Sequence, residues 1–333
     1  MRFLKWFGFI LLLLIVVYFL GPKPARPKLT ADLITVPSES TELEKYISER
    51  EKKHKVKPGN EARIVWFNDS TKEKTEYAVV YIHGFSASQE EGDPVHINFA
   101  KKFGCNLFLS RLTEHGLDTV EAMVNLTADN LWNSAKDAYA IGKQLGKKVI
   151  LVSTSTGGTL ALKLASLYPE IAGLILLSPN IAINDANAWL LNNPWGLQFA
   201  KLIQGSPYMY SKDTTVVYKK YWYNQYRMES VVQLEELLES TMKASVFEKI
   251  TQPVLLLYYY KDEEHQDPVV KVSAMKRMFA ELGTPADKKR EVAIPNAGEH
   301  VIGSYIKSKD IQSVENEVEK FAKEVLQLKP VQH

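Results

Sequence analysis

Apolar and polar residues come in blocks along this chain, and the blocks have two lengths. Short runs rich in aliphatic and β-branched residues fall at 62–67, 78–82, 106–109, 149–152, 174–177, 254–259 and 291–294. Runs of that length between polar turns read as buried strands. Between several of them the apolar positions return every three or four residues, as on an amphipathic helix. The last stretch is clearest: Ile311, Val314, Val318, Phe321, Ala322 and Val325 share one helical face. Strands alternating with helices predict an α/β domain whose central sheet is mostly parallel and covered on both faces. Such sheets carry their functional loops at the carboxyl ends of the strands.

The amino-terminal end departs from this pattern. From Trp6 to Leu20, fifteen residues carry no charge or strongly polar group. As a helix they would span roughly 22 Å, against a hydrocarbon core of about 30 Å. Phe3 and Leu4, with Lys5 snorkelling, lengthen the stretch. Phe19, Leu20 and Gly21 before Pro22 make a poor cleavage site. Residues 1–21 are therefore expected to be an uncleaved membrane anchor or signal. The flanking charges nearly balance, with Arg2 and Lys5 on one side and Lys23, Arg26 and Lys28 on the other. The signal-like opening favours placing the main domain on the exported side. Prolines 22, 24, 27 and 37 read as an extended tether. The charged stretch 41–57 reads as a helix with a solvated face and no chemistry. The organisation expected is an anchor, a tether and charged helix over 22–60, and a main domain over 61–328.

Composition narrows the function classes. Forty-one Lys and Arg against 39 Asp and Glu leave a formal charge of +2 in 333 residues, with 45% hydrophobic residues. Disordered chains are poorer in apolar residues. Nucleic-acid binders need a clear basic excess, so none is expected as a partner. A single cysteine, Cys105, excludes an internal disulfide and a cysteine-built zinc site. His54, His96, His265 and His333 show no metal-like spacing, and no HExxH occurs. Neither a metal nor a cofactor is expected.

Four segments carry candidate chemistry, each at the end of an expected strand. Val149–Val152 runs into Ser153-Thr154-Ser155-Thr156-Gly157-Gly158, and a helical pattern begins at once. A serine on a strand-to-helix turn is strained and projects its hydroxyl, and the turn needs small neighbours at Ser153 and Gly157. Alone, the segment also fits a Ser/Thr-rich loop or a phosphate-cradling turn, although it lacks the lysine of a phosphate loop. Residues 79–86 form a strand ending in His83-Gly84-Phe85. Residues 253–262 form a strand ending at Asp262, and residues 292–300 end in a small-residue loop presenting His300.

Together these segments resemble the α/β-hydrolase superfamily, with Ser155 on its nucleophile elbow although Ser153 replaces the usual first glycine. The resemblance covers roughly residues 60–328. HGFSAS and the RLTEHG segment around His115 are most similar to the capped monoacylglycerol-lipase and serine-aminopeptidase-like branch. It implies Ser155 as nucleophile, His300 as general base and Asp262 as the orienting acid, in the superfamily's chain order. It also implies an oxyanion hole from the backbone N–H groups of Phe85 and Thr156. His83 is expected to brace its loop, and His115 to support the neighbouring one. Glu263, Glu264 and Asp267 share the acid's loop. Asp262 is preferred because it directly follows the strand, whereas Asp267 before Pro268 reads equally well as a helix cap.

About 75 residues separate the strand ending near Ser178 from the one starting at Val254, where the superfamily often inserts a helical cap. A cap over about 180–245 is expected. Residues 189–226 hold ten aromatics, more than twice the chain average. They read either as an apolar lid accepting an acyl chain or as the cap's own core. The resemblance thus implies a serine ester hydrolase acting on a small-molecule acyl substrate. Amide hydrolysis or acyl transfer on the same residues, and a non-catalytic ligand binder, are the alternatives.

Overall fold

The computed structural model describes residues 2–331. Met1 of the expected anchor and His333 lie outside them. Nine strands occur among the described residues: β1 (Arg63–Val65), β2 (Thr75–Ile82), β3 (Asn106–Leu109), β4 (Gly146–Thr154), β5 (Gly173–Leu177), β6 (Tyr208–Tyr210), β7 (Gln225–Arg227), β8 (Val254–Tyr258) and β9 (Lys289–Ala293). Seven form one sheet in the order β1-β3-β2-β4-β5-β8-β9. Only β1 runs antiparallel to its neighbour. The mostly parallel sheet is the one the residue pattern predicted, and the fold is that of an α/β-hydrolase, as the resemblance implied.

The continuous apolar runs follow from two-sided burial. On one face Val80, Leu151, Leu176 and Leu256 join a core closed by α2 (Ser40–Glu51), α4 (Ala128–Leu145), α5 (Thr156–Ala165) and α10 (Val272–Glu281). On the other, Val79, Ile150, Ile175 and Leu255 meet α3 (Val95–Lys102) and α11 (Ile311–Glu324). Alternate residues of one strand therefore both need apolar side chains. On α11 the buried residues are Val314, Val318, Phe321 and Ala322, four of the six predicted from spacing.

Between β5 and β8 the chain leaves the sheet to build a cap. It holds α6 (Gly196–Gln204), α7 (Val216–Tyr221), α8 (Met228–Thr241) and α9 (Ala244–Phe247). It also holds an antiparallel ribbon of β6 with β7. The ribbon was not anticipated, since three-residue strands leave too little period to read.

The expected membrane-spanning anchor is not supported. The first helix, α1 (Arg2–Phe19), has 18 residues and reaches roughly 27 Å at 1.5 Å per residue. No helix among the described residues is long and apolar enough to cross a membrane. Apolar side chains from Phe3 to Leu20 are exposed. The helix end meets the cap where Trp195 Nε1 donates to the Val17 carbonyl, 3.0 Å away.

Residues 22–39 have no helix or strand, yet part of this segment is fastened to the body. Trp132 Nε1 on α4 donates to the Thr30 carbonyl at 2.8 Å. Lys136 reaches the Asp32 carbonyl at 2.9 Å, and Tyr168 donates to the Ala31 carbonyl. The charged stretch that follows does more than face solvent. Leu43 and Ile47 of α2 are buried, and Glu51 pairs with Arg111 through bonds of 2.6 and 3.0 Å. A carboxylate–guanidinium fork of this kind fixes orientation as well as charge.

Candidate active site

Ser155 is the residue between β4 and α5. Its φ of 53° and ψ of −120° are costly for any residue with a Cβ. Neighbouring backbone holds it there: its N–H donates to Leu177 O at 3.1 Å, and its carbonyl accepts the Asn180 N–H at 2.8 Å. Close approach explains Gly157, where a Cβ would lie 1.9 Å from the Ile82 carbonyl oxygen. Ser153 fits where the superfamily usually has glycine; it is fully buried, and its Oγ has no partner among the described residues.

His300 stands in the loop after β9, with 6% of its surface exposed. Its Nδ1 lies 2.6 Å from Asp267 Oδ2. The other oxygen of Asp267 accepts the N–H groups of Val269 and Val270 at 2.8 and 3.0 Å. With both oxygens occupied and the side chain inaccessible, the carboxylate can only accept and aim the imidazole. Burial works to lower the pKa of His300, but the charge and hydrogen bond of Asp267 outweigh it, and the net shift is upward. Nε2 is buried without a hydrogen-bond partner among the described residues.

The expectation of Asp262 as the partner of His300 is therefore corrected to Asp267. Asp262 is half exposed and accepts from the N–H of Glu264, the N–H of His265 and His265 Nδ1. The bond with His265 is the main cause of its lowered pKa. The loop 261–266 leaves the sheet and returns, pairing Tyr260 with Gln266 and Asp267 N–H with Tyr259 O at 3.1 Å. Asp267 is thus next to the strand end in space, though several residues away in sequence. Nor does it cap a helix: α10 begins at Val272, preceded by Lys271. One local signal does mark it. Asp262 sits among charged residues, whereas Asp267 precedes the apolar Pro268-Val269-Val270, as a buried acid should.

Phe85 follows Gly84 in the turn after β2, and Thr156 follows Ser155 as the first residue of α5. The turn carrying Phe85 is braced by His83, whose Nε2 accepts the Leu112 N–H at 3.0 Å and whose Nδ1 lies 2.9 Å from the Gly84 carbonyl. An accepting Nε2 leaves the proton on Nδ1, so the ring is neutral. Burial and the neighbouring His115 hold its pKa far below the usual value. His115 is likewise buried, with Nδ1 2.7 Å from Thr113 O, and burial brings its pKa down to about 4. Arg111 Nη1 donates to the His115 carbonyl at 3.1 Å, so the Glu51 pair of α2 supports this loop from behind.

Ser155, His300 and Phe85 line one cavity of about 670 Å³ between sheet and cap. Tyr218, Trp222, Tyr226, Met209 and Leu234 of the cap form much of its wall. The ten cap aromatics divide between roles. Three face the cavity, Tyr223 is buried in the core, and Trp189, Phe199 and Tyr210 are exposed. A buried carboxyl in the cavity wall, Glu91, was not foreseen: in Gln89-Glu90-Glu91-Gly92 nothing separates it from a surface residue.

Solved structures share this architecture. A metagenome-derived lipolytic enzyme superposes with a TM-score of 0.63 over 80% of this chain and 99% of its own, at 18% identity. The monoacylglycerol lipase of Paleococcus ferrophilus does so at 0.57, covering 79% and 98%, at 15% identity. In sequence, the chain is 28% identical over 190 residues to a thermostable monoacylglycerol lipase of Bacillus sp. strain H-257. That match spans 57% of this chain and 71% of the relative. The serine aminopeptidase S33 family model matches residues 128–300, from the start of α4 to His300 and slightly more than half of the chain. With that match and this fold, the chain belongs to the serine aminopeptidase S33 family of α/β-hydrolases.

Proposed function

We propose that this protein is a serine hydrolase that cleaves carboxylic esters through an acyl-enzyme. One observation carries the reading. The imidazole of His300 is fixed by Asp267 through Nδ1, its Nε2 has no partner among the described residues, and the ring lines the same cavity as Ser155. In this reading Nε2 takes the Ser155 proton as the hydroxyl attacks the ester carbonyl, and returns it to the leaving alcohol. Asp267 holds the ring and stabilises the imidazolium. The N–H groups of Phe85 and Thr156 stabilise the oxyanion, a contribution worth about 10²–10³ in rate per donor. Water then hydrolyses the acyl-enzyme by the same route.

The apolar cap wall favours a lipophilic acyl group, and the lipases among the relatives agree with that choice. The test is a fluorophosphonate probe applied to the full chain and to Ser155→Ala. Labelling of the unmutated protein alone is expected, together with ester turnover that the variant lacks. Equal labelling of both, or of neither, would overturn the reading, and turnover of peptides but not esters would replace the bond.

A further inference from the structure

Glu91 is the most buried carboxyl lining the cavity. It is 2% exposed and lines the same cavity as Ser155 and His300. It sits in the single turn Gln89–Gly92, and its carboxylate accepts the N–H of Gly84. Gly84 has no space for a side chain. A Cβ there would lie 2.8 and 2.9 Å from the two Glu91 oxygens and 2.9 Å from Ser155 Cβ. Carboxyl, turn and serine are thus packed around one missing methyl group.

Several groups surround this carboxyl. Tyr81 faces it from β2, and Tyr218 and Trp222 face it from the cap. His300 faces it from the last loop, where Glu299 also acts on the imidazole. Asp93 is close on its own segment, near Tyr81, and His96 packs edge-on against the Tyr81 ring. Lys307 at the cavity rim is taken by Asp213, 3.1 Å away, with Glu299 at 3.9 Å. Lys212 also lines the cavity, but the cation that acts on Glu91 is the imidazolium of His300. Burial pushes the Glu91 pKa up to about 7, opposed by the Gly84 N–H and His300. Glu91 in turn helps to raise His300, after Asp267.

We propose that Glu91 is a positioning residue of this site: its carboxyl holds the Gly84–Phe85 turn against the elbow, and its charge acts on the imidazole of His300. The proposal rests on the reading of Ser155 and His300 given above. The ionised carboxylate favours the charged imidazole, and the imidazolium favours the ionised carboxylate. The turn-holding role needs only an acceptor, which glutamine also has. The charge role needs the carboxylate.

The two roles separate in Glu91→Gln and Glu91→Ala. In Glu91→Gln the acid limb of kcat/KM for a soluble ester moves to lower pH by about one unit, because a negative charge that favoured the imidazolium is gone. Glu91→Ala moves the limb likewise and also lowers kcat at every pH by about tenfold or more, since the turn presenting an oxyanion donor is released. Superimposed limbs for wild type and Glu91→Gln would overturn the proposal. A second readout needs no turnover. The His300 ring, assigned against His300→Gln, is titrated by NMR in the full chain with and without Glu91→Gln. A lower midpoint in the variant is expected, and an unchanged midpoint would overturn the proposal. If wild type neither labels at Ser155 nor turns over esters, the hydrolase reading falls, and this titration still decides the role of Glu91.

Discussion

Asp267 accepts three hydrogen bonds with two oxygens, and only one of them goes to a side chain. The two backbone bonds keep the carboxylate from turning away from His300. Asparagine in its place would present a donor or a neutral acceptor to Nδ1 and favour the wrong tautomer. Asp267→Asn is therefore expected to lower kcat by about 10³–10⁴. Asp262→Asn, changed within a surface turn, should stay within about threefold of wild type. Steady-state rates with one soluble ester check both, and a larger loss at Asp262 would reverse the assignment. The places of Ser155 and His300 at one cavity were legible in the sequence, because Ser155 directly follows its strand and His300 lies in the small-residue loop after the last strand. Asp267 is marked only by the apolar Pro268-Val269-Val270 after it; its place is set by a loop that folds back, and nothing in Lys261-Asp262-Glu263-Glu264 announces that return.

Helix α8 shows what patterning hides within an element. Glu235 is buried, and its Oε2 has no partner among the described residues. Burial, reinforced by Glu239, pushes its pKa from 4.5 up to about 7. Folding thus favours the protonated form. The stability this contributes is complete below about pH 4.5 and disappears as pH rises through about 7. Glu235→Gln, which cannot ionise, should gain on wild type as the solution becomes alkaline. About 2 kcal/mol more stability is expected at pH 8, with little difference at pH 5. Thermal melts at the two pH values check this, and a pH-independent difference would refute it. The central strands were plain from their runs, since two-sided burial leaves few polar positions. The support that α2 gives Arg111 was not plain, because Glu51 sits in a run of charges that reads as solvated.

At the scale of the whole molecule, α1 stands apart from the rest. Its apolar side chains are exposed, and a rod of that character in water invites association. Its fastening to the body is slight beside that of residues 30–32, which are bonded to α4 and to Tyr168. Removing residues 2–20 should leave the melting temperature within about 2 °C of the full chain and leave Ser155 labelling intact, while reducing self-association. Removal through residue 39 should cost stability, because the bonded segment and the buried Val36 go with it. Melting curves and size-exclusion profiles of the two truncations check this, and a large loss from the shorter one would show that α1 is integral.

The excursion over residues 261–266 makes the count between the strand and its acid elastic. Because Tyr260 and Gln266 already sit side by side, the chain can lengthen or shorten beyond them without shifting Asp267. This is where foreign sequence, a fluorophore or an affinity tag could be grafted a few residues from Asp267 while leaving its bond to His300 undisturbed.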